Sequence, residues 1–334
     1  MTLRRRTQTG FSVVELMIAS AISLTITAAL ITVFVGNTRS RTELDRSHQQ
    51  IENGRYALEL LSDELRVAGF YGEVPLAGVV PLGGVVQTAA PACALTAAEL
   101  GWTVSPLRVP VPVQAIATAA PGSACLSNRA AGSPGVAIRR VSTEPIAPGA
   151  VLASNDYLQT SRCKNDPPVV KQVIGSSAGD FVLRNLACDA PMPVRRILQR
   201  TYYIASCSNC GNDTIPSLAR IELVDGSLQV RTMVEGIEAM GVDFGFDIDG
   251  DGAADTWRTN LDGVVGSPAN DWGNVMTVRL HLLSRTLRPT AGHVDANAYS
   301  LGLAGTVGPF GDGFKRRVYS GVIRLNNPSG RREL

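Results

Sequence analysis

The sequence is poor in the residues that most often carry catalysis and bind metals. Its 334 residues include three histidines, His48, His281 and His293, which show no recognisable metal-ligand spacing. Charged residues make up 18% of the chain and the formal net charge is +2, so nothing indicates a surface for nucleic acid. These shortages argue against a nucleic-acid-binding protein and against histidine-based catalysis.

Two short patterns with catalytic associations are better explained as structure. Residues 175–179, Gly-Ser-Ser-Ala-Gly, match a nucleophile elbow, which needs a strand before it and a helix after it. A strand-like run, residues 181–186, follows instead. Cys207 and Cys210 enclose two residues, as in redox and zinc motifs, but a βαβ context is missing. We therefore expect a tight turn, a small disulfide-closed loop and no catalytic residue.

Charge is absent from a long segment near the N-terminus. No residue from Leu16 to Thr38 is charged, and about 20 apolar residues suffice to cross a bilayer as a helix. The ten residues at the start contain Arg4, Arg5 and Arg6 and no acid, which by the positive-inside bias keeps this end in the cytoplasm. We therefore predict that the chain crosses the membrane once and that the rest of it is exported.

One acid, Glu15, lies at the edge of the apolar segment. A charged side chain near the bilayer centre costs roughly 2.5–3.5 kcal/mol, so an acid tolerated there usually has a partner. The segment lacks the small-residue cleavage site of an ordinary secretory signal; a glycine, Gly10, precedes it instead. The alternative is a plain signal anchor whose Glu15 reaches the membrane interface.

The sequence Gly-Phe-Ser-Val-Val-Glu at residues 10–15 resembles the processing site of type IV pilins and type II secretion pseudopilins. The resemblance implies that prepilin peptidase cuts after Gly10, that Phe11 becomes an N-methylated N-terminal residue, and that the apolar helix stays attached. It also implies that Glu15 pairs with the N-terminal amine of a neighbouring subunit in a filament. Two charges that are each costly in lipid become tolerable as a pair, and the pairing fixes the register between subunits.

The helical period continues beyond the apolar segment. Apolar residues recur on one face of the predicted helix: Leu44, Ile51, Leu58, Leu61, Leu65 and Ala68. We expect one continuous helix of nearly 60 residues that ends at about Gly69. Gly54 and the pair Gly36-Asn37 are the points at which it would bend.

Both ends of the region after the anchor resemble the PilW family of minor pilins. Residues 55–72, RYALELLSDELRVAGFYG, are similar to the helix end of that family, and residues 316–327, RRVYSGVIRLNN, are similar to its C-terminal strand. PilW proteins often carry a cysteine after the first motif and finish in Leu-Arg-Asn. Here Glu73 and Leu-Asn-Asn take those places, so a family disulfide anchored at that cysteine is absent or rearranged.

The resemblance implies a low-abundance type IV pilus subunit that initiates filament assembly, with the filament tip as its expected place, and supports adhesion or twitching motility. It also implies a single-pass inner-membrane protein with a periplasmic C-terminal domain, which is in the extracellular pilus after assembly. Its implied partners are other minor pilins, the major pilin, prepilin peptidase, the inner-membrane assembly machinery and membrane lipid, with no nucleic acid. A J-type pseudopilin of type II secretion shares the anchor and the large β domain and is the first alternative. A membrane-anchored periplasmic enzyme or sensor is the second, and the missing catalytic set disfavours it.

The predicted fold class is α+β and pilin-like, with the long N-terminal helix packed on an antiparallel sheet that carries large loop insertions. The predicted divisions are a leader (1–10), a membrane or filament-core helix (11–35), its amphipathic continuation (36–72) and a β-rich domain (73–334). Predicted strands, separated by turn residues, are 109–116, 135–141, 169–174, 181–185, 200–205, 219–224, 227–234, 275–283 and 316–325. Asp225-Gly226 is a strong hairpin signal.

All six cysteines lie on the predicted exported side, where oxidation is expected. They are Cys93, Cys125, Cys163, Cys188, Cys207 and Cys210. Six cysteines allow fifteen connectivities, so the sequence does not select one. Pairing of neighbours in chain order is the arrangement that we favour.

Residues 247–255, Asp-Ile-Asp-Gly-Asp-Gly-Ala-Ala-Asp, match part of an EF-hand-like calcium loop. The predicted ligands are the carboxylates of Asp247, Asp249, Asp251 and Asp255 and the carbonyl oxygen of Ala253. Position 12, where a bidentate Glu would complete the shell, is Arg258 instead, so Asp243 or Asp262 would have to substitute. We expect a structural Ca²⁺ that holds the loop; a solvated acidic turn is the alternative.

Overall fold

The computed structural model describes residues 10–74, 86–117, 123–167, 171–260 and 272–332. The chain divides into two compact units, residues 1–49 and residues 50–334, and each is described by itself. One long helix, α1 (Val13–Arg66), contributes residues to both units. Residues 1–9 of the predicted leader, and Asp262, lie outside the described residues.

Helix α1 is 54 residues long and has no break at either of the predicted weak points. It ends three residues before Gly69, which has a left-handed φ of +71°, the conformation that commonly terminates helices. Gly54 is needed for packing, because a Cβ at this position would lie 2.2 Å from the Tyr319 ring. The helix end predicted at about Gly69 therefore agrees with the structure within three residues.

The described residues contain sixteen strands. These are β1 (Val86–Thr88), β2 (Thr103–Val104), β3 (Leu107–Pro110), β4 (Val113–Ile116), β5 (Gly135–Val141), β6 (Tyr157–Thr160), β7 (Gln172–Gly175), β8 (Arg195–Ala205), β9 (Ser217–Val224), β10 (Ser227–Glu235), β11 (Ile237–Phe246), β12 (Thr256–Arg258), β13 (Val275–Arg285), β14 (Tyr299–Ser300), β15 (Thr306–Val307) and β16 (Arg316–Arg324). A short helix, α2 (Asn326–Gly330), follows the last of them.

Two sheets make up most of the β structure. The larger has the order β10-β9-β8-β5-β4, with β6 pairing to β8 and to β7, and the smaller has the order β12-β11-β13-β16. Every strand pairing in these two sheets is antiparallel. The predicted fold class, α+β with a long N-terminal helix on antiparallel β structure, is confirmed.

Within the second unit, the end of α1 packs on a core shared by the two sheets. Ala57, Leu61 and Leu65 of α1 are buried together with side chains of both sheets, among them Tyr202 and Phe244. Polar contacts reinforce this packing at the start of the unit. The side-chain amide of Gln50 donates to the carbonyl oxygens of Ser284 (2.9 Å) and Lys315 (3.0 Å), and Asn53 donates to the carbonyl of Glu235 (3.1 Å).

A second apolar cluster lies against β5, β6 and β8, and the chain between residues 86 and 117 contributes to it. A buried arginine, Arg139, attaches this segment to β5. Its guanidinium donates to the carbonyl of Ala90 at 2.8 Å and to the side chain of Gln199 at 2.5 Å, and Gln199 in turn donates to the carbonyl of Ala92 at 2.9 Å. Burial lowers the pKa of Arg139 to about 10.

The loop before β16 is attached to the small sheet by one buried arginine, Arg316. Its guanidinium binds the carboxylates of Glu238, Asp295 and Asp312 and lies 3.7 Å from the centre of the Phe310 ring. We call these three acids and Arg316 the Arg316 cluster. The cluster joins β11, β16 and the residues between β13 and β16.

The strand predictions have mixed outcomes. Those for 135–141, 219–224, 227–234 and 316–325 match strands within about two residues, and β8 and β13 extend beyond their predicted limits. The strand predicted at 109–116 is divided into β3 and β4, because Pro112 lies between them and cannot donate to a ladder. The part of 169–174 that the structure describes contains the start of β7.

The strand predicted at 181–185 is wrong. A 3₁₀ turn, Ala178–Asp180, precedes these residues, and Arg184 makes only an isolated bridge, to Pro191. The carboxylate of Asp166 accepts hydrogen bonds from the backbone N–H and the Nε–H of Arg184 at 2.9 Å each. A side chain therefore supplies the partner that a neighbouring strand would have offered.

The hairpin predicted at Asp225-Gly226 is present between β9 and β10. Both residues have positive φ, +49° and +80°, as a two-residue type I′ turn requires, and Val224 pairs with Ser227 across the turn. Strand β11 was not predicted, although its sequence alternates apolar residues with Gly or Asp from Met240 to Phe246. The glycines inside this run weaken the strand signal.

The six cysteines form three disulfides in chain order, which is the arrangement favoured from the sequence. The pairs are Cys93–Cys125, Cys163–Cys188 and Cys207–Cys210. The last closes a small loop in which Asp213 accepts hydrogen bonds from the backbone N–H groups of Ser208 and Asn209, at 2.8 Å each.

Candidate functional site

The predicted processing segment leads directly into the first turn of α1. Phe11 is 85% exposed, and Ser12 occupies the N-cap position. The Ser12 hydroxyl accepts the N–H of Val14 at 3.3 Å, and the Glu15 carboxylate accepts the N–H of Ser12 at 3.0 Å. Ser12 is thus an N-cap residue, and the Glu15 contact is the reciprocal half of a capping box. The Ser-x-x-Glu spacing was readable from the sequence, and it gives Glu15 a partner within its own chain.

The apolar segment has the surface expected of a membrane anchor. Its large apolar side chains are exposed, and α1 is long and apolar enough near the N-terminus to cross a membrane. The hydroxyls in this segment donate to backbone carbonyls three or four residues earlier; Ser23, for example, donates to Ala19 and Thr27 to Ser23, at 2.8 and 2.7 Å. These groups therefore do not need water, which the bilayer interior lacks. The segment is a candidate membrane anchor.

The aspartate loop, residues 247–255, connects β11 to β12. Carboxylate oxygens of Asp247, Asp249 and Asp255 all lie within 4.8 Å of one another. Asp247 is buried and the other two are exposed. Asp251 is outside this group of three, and its carboxylate accepts the backbone N–H of Ala253 at 2.7 Å. The loop thus brings together three of the four predicted carboxylate ligands.

An arginine already neutralises the buried member of the loop. Arg332 donates to the Asp247 carboxylate and to the side chain of Asn274. The N–H groups of Gly250 and Gly252 also donate to Asp247, at 2.6 and 2.8 Å. Burial alone would raise the pKa of Asp247, but Arg332 and these two N–H groups outweigh burial and lower it.

The loop fits a hard cation in part. Three converging carboxylates offer the oxygen donors that Ca²⁺ prefers, but the Arg332 guanidinium occupies one oxygen of Asp247. Asp243, predicted as a substitute ligand, lies within β11 and accepts the N–H of Leu303 at 3.0 Å. It is not one of the carboxylates that converge in the loop. Sequence reasoning missed Arg332 because no local pattern relates it to residue 247.

Glu73, which stands where PilW proteins often have a cysteine, makes a two-point ion pair with Arg195. The oxygen–nitrogen distances are 3.0 and 3.3 Å. Burial raises the pKa of Glu73, but the hydrogen bond and charge of Arg195 overcome this and lower it. A salt bridge therefore attaches the segment after α1 to β8.

Comparison with known proteins gives one family match. Residues 201–327 match the model of the family described as type IV pilus-assembly protein W, PilW. Among solved structures, a type IV-like pilin from Thermus thermophilus is similar, with 13% sequence identity, 60% of this chain and 80% of that chain covered, and a TM-score of 0.31. No curated protein matches the chain.

The family match covers the end of β8 and the strands from β9 to β16. It includes the aspartate loop and the C-terminal motif, whereas the N-terminal segment and residues 55–72 lie outside it. The PilW resemblance is thereby confirmed, over residues 201–327. The match associates this part of the chain with type IV pilus assembly.

Proposed function

We propose that this chain, a PilW-family pilin-like protein, is a minor pilin that takes part in the initiation of type IV pilus assembly at the filament tip, and so supports adhesion and twitching motility. Its partners are other minor pilins and the major pilin. Before assembly it lies in the inner membrane, with residues 73–334 in the periplasm. No catalytic role is assigned.

One observation carries the proposal. A single chain combines the PilW match at residues 201–327 with an exposed apolar helix that follows Gly10-Phe11 and carries Glu15 in its first turn. A soluble assembly factor has no need of the exposed apolar surface, and an ordinary anchor has no need of the acid. A filament subunit needs both, because its helix exchanges lipid for neighbouring helices.

Glu15 supplies the proposed assembly contact. In the isolated chain its carboxylate accepts the N–H of Ser12, so the cost of placing an acid in this segment is partly offset before assembly. Cleavage after Gly10 creates a positive amine on Phe11. In the filament the Glu15 carboxylate of one subunit then pairs with the amine of the next, and this pair fixes the axial register.

Intact mass and N-terminal sequencing test the proposal. The full chain is isolated from membranes of a host with prepilin peptidase and of a peptidase-deficient host. A mature chain that starts at N-methylated Phe11 in the first host alone is expected. A chain that begins at Met1 in both hosts would overturn the pilin assignment and favour a membrane-anchored periplasmic enzyme or sensor.

A Glu15→Val variant separates processing from assembly. We expect normal cleavage after Gly10 and loss of the protein from sheared filaments. Glu52, an acid of α1 outside the apolar segment, provides the control as Glu52→Gln. Normal filament incorporation of Glu15→Val would disprove the charge pair, and recovery of the wild-type chain only with a type II secretion apparatus would identify a J-type pseudopilin instead.

A calcium ion in the aspartate loop is the second part of the proposal. The convergence of three carboxylates within 4.8 Å supports it, and the ion would be held by Asp247, Asp249, Asp251 and Asp255 with the carbonyl oxygen of Ala253. The ion would fix the connection from β11 to β12, since a structural cation needs no substrate. Its test is among the predictions below.

A further inference from the structure

Five charged side chains meet where the end of α1 lies over the large sheet. They come from α1, β5, β8 and β9 and are close enough to share ion pairs. We call them the arginine cluster: Glu64, Arg140, Arg200, Arg220 and Glu222.

The carboxylates of the arginine cluster do not balance its guanidinium groups. Arg200 binds both acids, and its Nε lies 3.0 Å from the Glu222 carboxylate. Arg220 shares Glu222, also at 3.0 Å, and Arg140 lies 3.8 Å from the Glu64 carboxylate. Three cations share two anions, so one positive charge remains without a counter-ion in the cluster.

Two N–H donors of the cluster have no acceptor. The Nε atoms of Arg140 and Arg220 are buried and make no hydrogen bond within the described protein, and the Oε2 acceptor of Glu64 in the same cluster is likewise unpaired. Most buried polar groups find a partner, so these atoms mark the cluster as incompletely paired. The side chains remain 11% and 15% exposed, which leaves the cluster accessible from one side.

The surroundings of the cluster add positive charge. In the strand register, Arg231 of β10 lies beside Arg220, and Gln229 lies beside Glu222. Arg231 is exposed and donates to the Gln229 side chain at 3.3 Å. The excess positive charge is therefore expected to attract an anion from outside the chain to the partly exposed guanidinium groups, and a carboxylate matches the planar fork of a guanidinium.

We propose that the arginine cluster binds an acidic side chain, Asp or Glu, of a neighbouring pilus subunit. A carboxylate there neutralises the excess charge by pairing with the partly exposed guanidinium groups of Arg140 and Arg220. The inference rests on the proposed function for the identity of the partner. A protein carboxylate is favoured over a lipid phosphate because the cluster lies over the large sheet, within the β-rich unit of residues 50–334.

The binding chemistry is tested on the purified full chain in detergent by NMR of the arginine Nε–H groups. Succinate is titrated against sodium chloride of equal ionic strength, and Arg→Lys variants assign the signals. We expect succinate to shift the signals of Arg140 and Arg220 and to leave that of Arg317, an exposed arginine of β16, unchanged. Equal shifts at Arg317, or no shift beyond that of chloride, would overturn the proposal.

The partner is tested by filament incorporation of Arg220→Gln, with Arg317→Gln as the matched control. We expect Arg220→Gln to be processed normally but to decrease about tenfold in sheared filaments, since loss of one member of a partly buried charge pair weakens association at least this much. Arg220→Lys, which keeps the charge, should recover part of the loss. An unchanged unfolding midpoint for Arg220→Gln excludes misfolding as the cause.

These readouts separate the two proposals. If the wild-type chain is processed and enters filaments, and Arg220→Gln does so equally well, the role of the arginine cluster is wrong and the minor-pilin assignment stands. If the wild-type chain is neither processed nor present in filaments, the assignment itself fails. The succinate titration then still decides whether the cluster binds a carboxylate.

Discussion

The aspartate loop and the Arg316 cluster both pair carboxylates with a buried arginine, yet they differ in completeness. Arg316 is fully buried, and its donors are distributed over three acids, of which Asp295 is also fully buried. In the aspartate loop, Arg332 pairs with Asp247, and the exposed carboxylates of Asp249 and Asp255 remain nearby. The first group is closed within the protein, whereas the second retains negative charge toward solvent.

The difference shows when an arginine can take the place of a metal ion among several acids. Where aromatic rings and three acids enclose it, as Phe310 and Phe314 help to do, the guanidinium completes the site and strengthens attachment of a loop. Burial opposes the charge on Arg316, but hydrogen bonds to Asp312, Glu238 and Asp295 outweigh burial and raise its pKa. Where an arginine pairs with only one of several converging acids and the others are exposed, as in the aspartate loop, the remaining negative charge favours a further cation.

The largest expected loss of unfolding free energy is in the Arg316 cluster, the closed group. Arg316→Gln leaves several carboxylates without their partner, and loss of one side of a buried ion pair costs about 3–5 kcal/mol of unfolding free energy. Denaturant unfolding of the full chain in detergent measures it. The adjacent Arg317 is exposed, and Arg317→Gln should cost at most about 1 kcal/mol. Equal losses in the two variants would show that the closed group has no special role.

A smaller loss of unfolding free energy is expected in the aspartate loop, the open group. Arg332→Gln removes the ion pair to Asp247, but the N–H groups of Gly250 and Gly252 still donate to this carboxylate. We expect a loss of about 1–3 kcal/mol in the same unfolding experiment. A loss as large as that of Arg316→Gln would contradict the distinction between the two groups.

Added Ca²⁺ should distinguish the aspartate loop from the Arg316 cluster. If Arg332 competes with an ion for Asp247, Ca²⁺ at ten times its dissociation constant for Arg332→Gln raises the unfolding free energy of this variant by about 1.4 kcal/mol. The wild type should gain less at the same Ca²⁺ concentration. Asp249→Asn should weaken this response, and Asp180→Asn, a change at an acid outside both groups, should not. No response to Ca²⁺ in Arg332→Gln would exclude the calcium proposal.

The smallest expected effect is the acid dependence of the closed group. The hydrogen bond from Arg316 lowers the pKa of Asp312 to about 2, from an ordinary value of about 3.9. Because the folded pKa is depressed, its stabilisation is fully present above pH ~4 and is lost as pH falls toward about 2. Asp312 is 36% exposed, so solvent screening keeps the effect modest. Unfolding at pH values across this window should show a shallower dependence in Arg316→Gln than in the wild type.

Features built from contiguous residues were predicted well. The apolar segment, the hairpin at Asp225-Gly226 and the end of α1 near Gly69 each depend on neighbours within a few residues. The sequence signals are hydropathy, turn residues that favour positive φ, and helical periodicity, and each depends on residues close together in the chain. The sequence also brought the acids of the aspartate loop together, because they are separated by only one to three residues.

Features built from distant residues could not be predicted. Glu238 and Arg316 are 78 residues apart, Asp247 and Arg332 are 85 apart, and Glu64 and Arg200 are 136 apart. A charged residue in a strand pattern carries no sign of its partner, since register and sheet order decide which side chains meet. The strand at 181–185 failed for the same reason, because Asp166 supplied the hydrogen bonds of Arg184.

The sequence by itself determined the apolar segment of α1, a candidate membrane anchor, with its acid in the first turn, and the acidic composition of the loop at residues 247–255. Both features depend on residues that are close together in the sequence, so local geometry alone defines them. Only the tertiary structure decided which charges are balanced: Arg316 is closed off by three acids, Arg332 restrains the aspartate loop, and the arginine cluster retains one positive charge. Charge balance depends on side chains that folding brings together from far along the chain, and on how completely burial removes them from water.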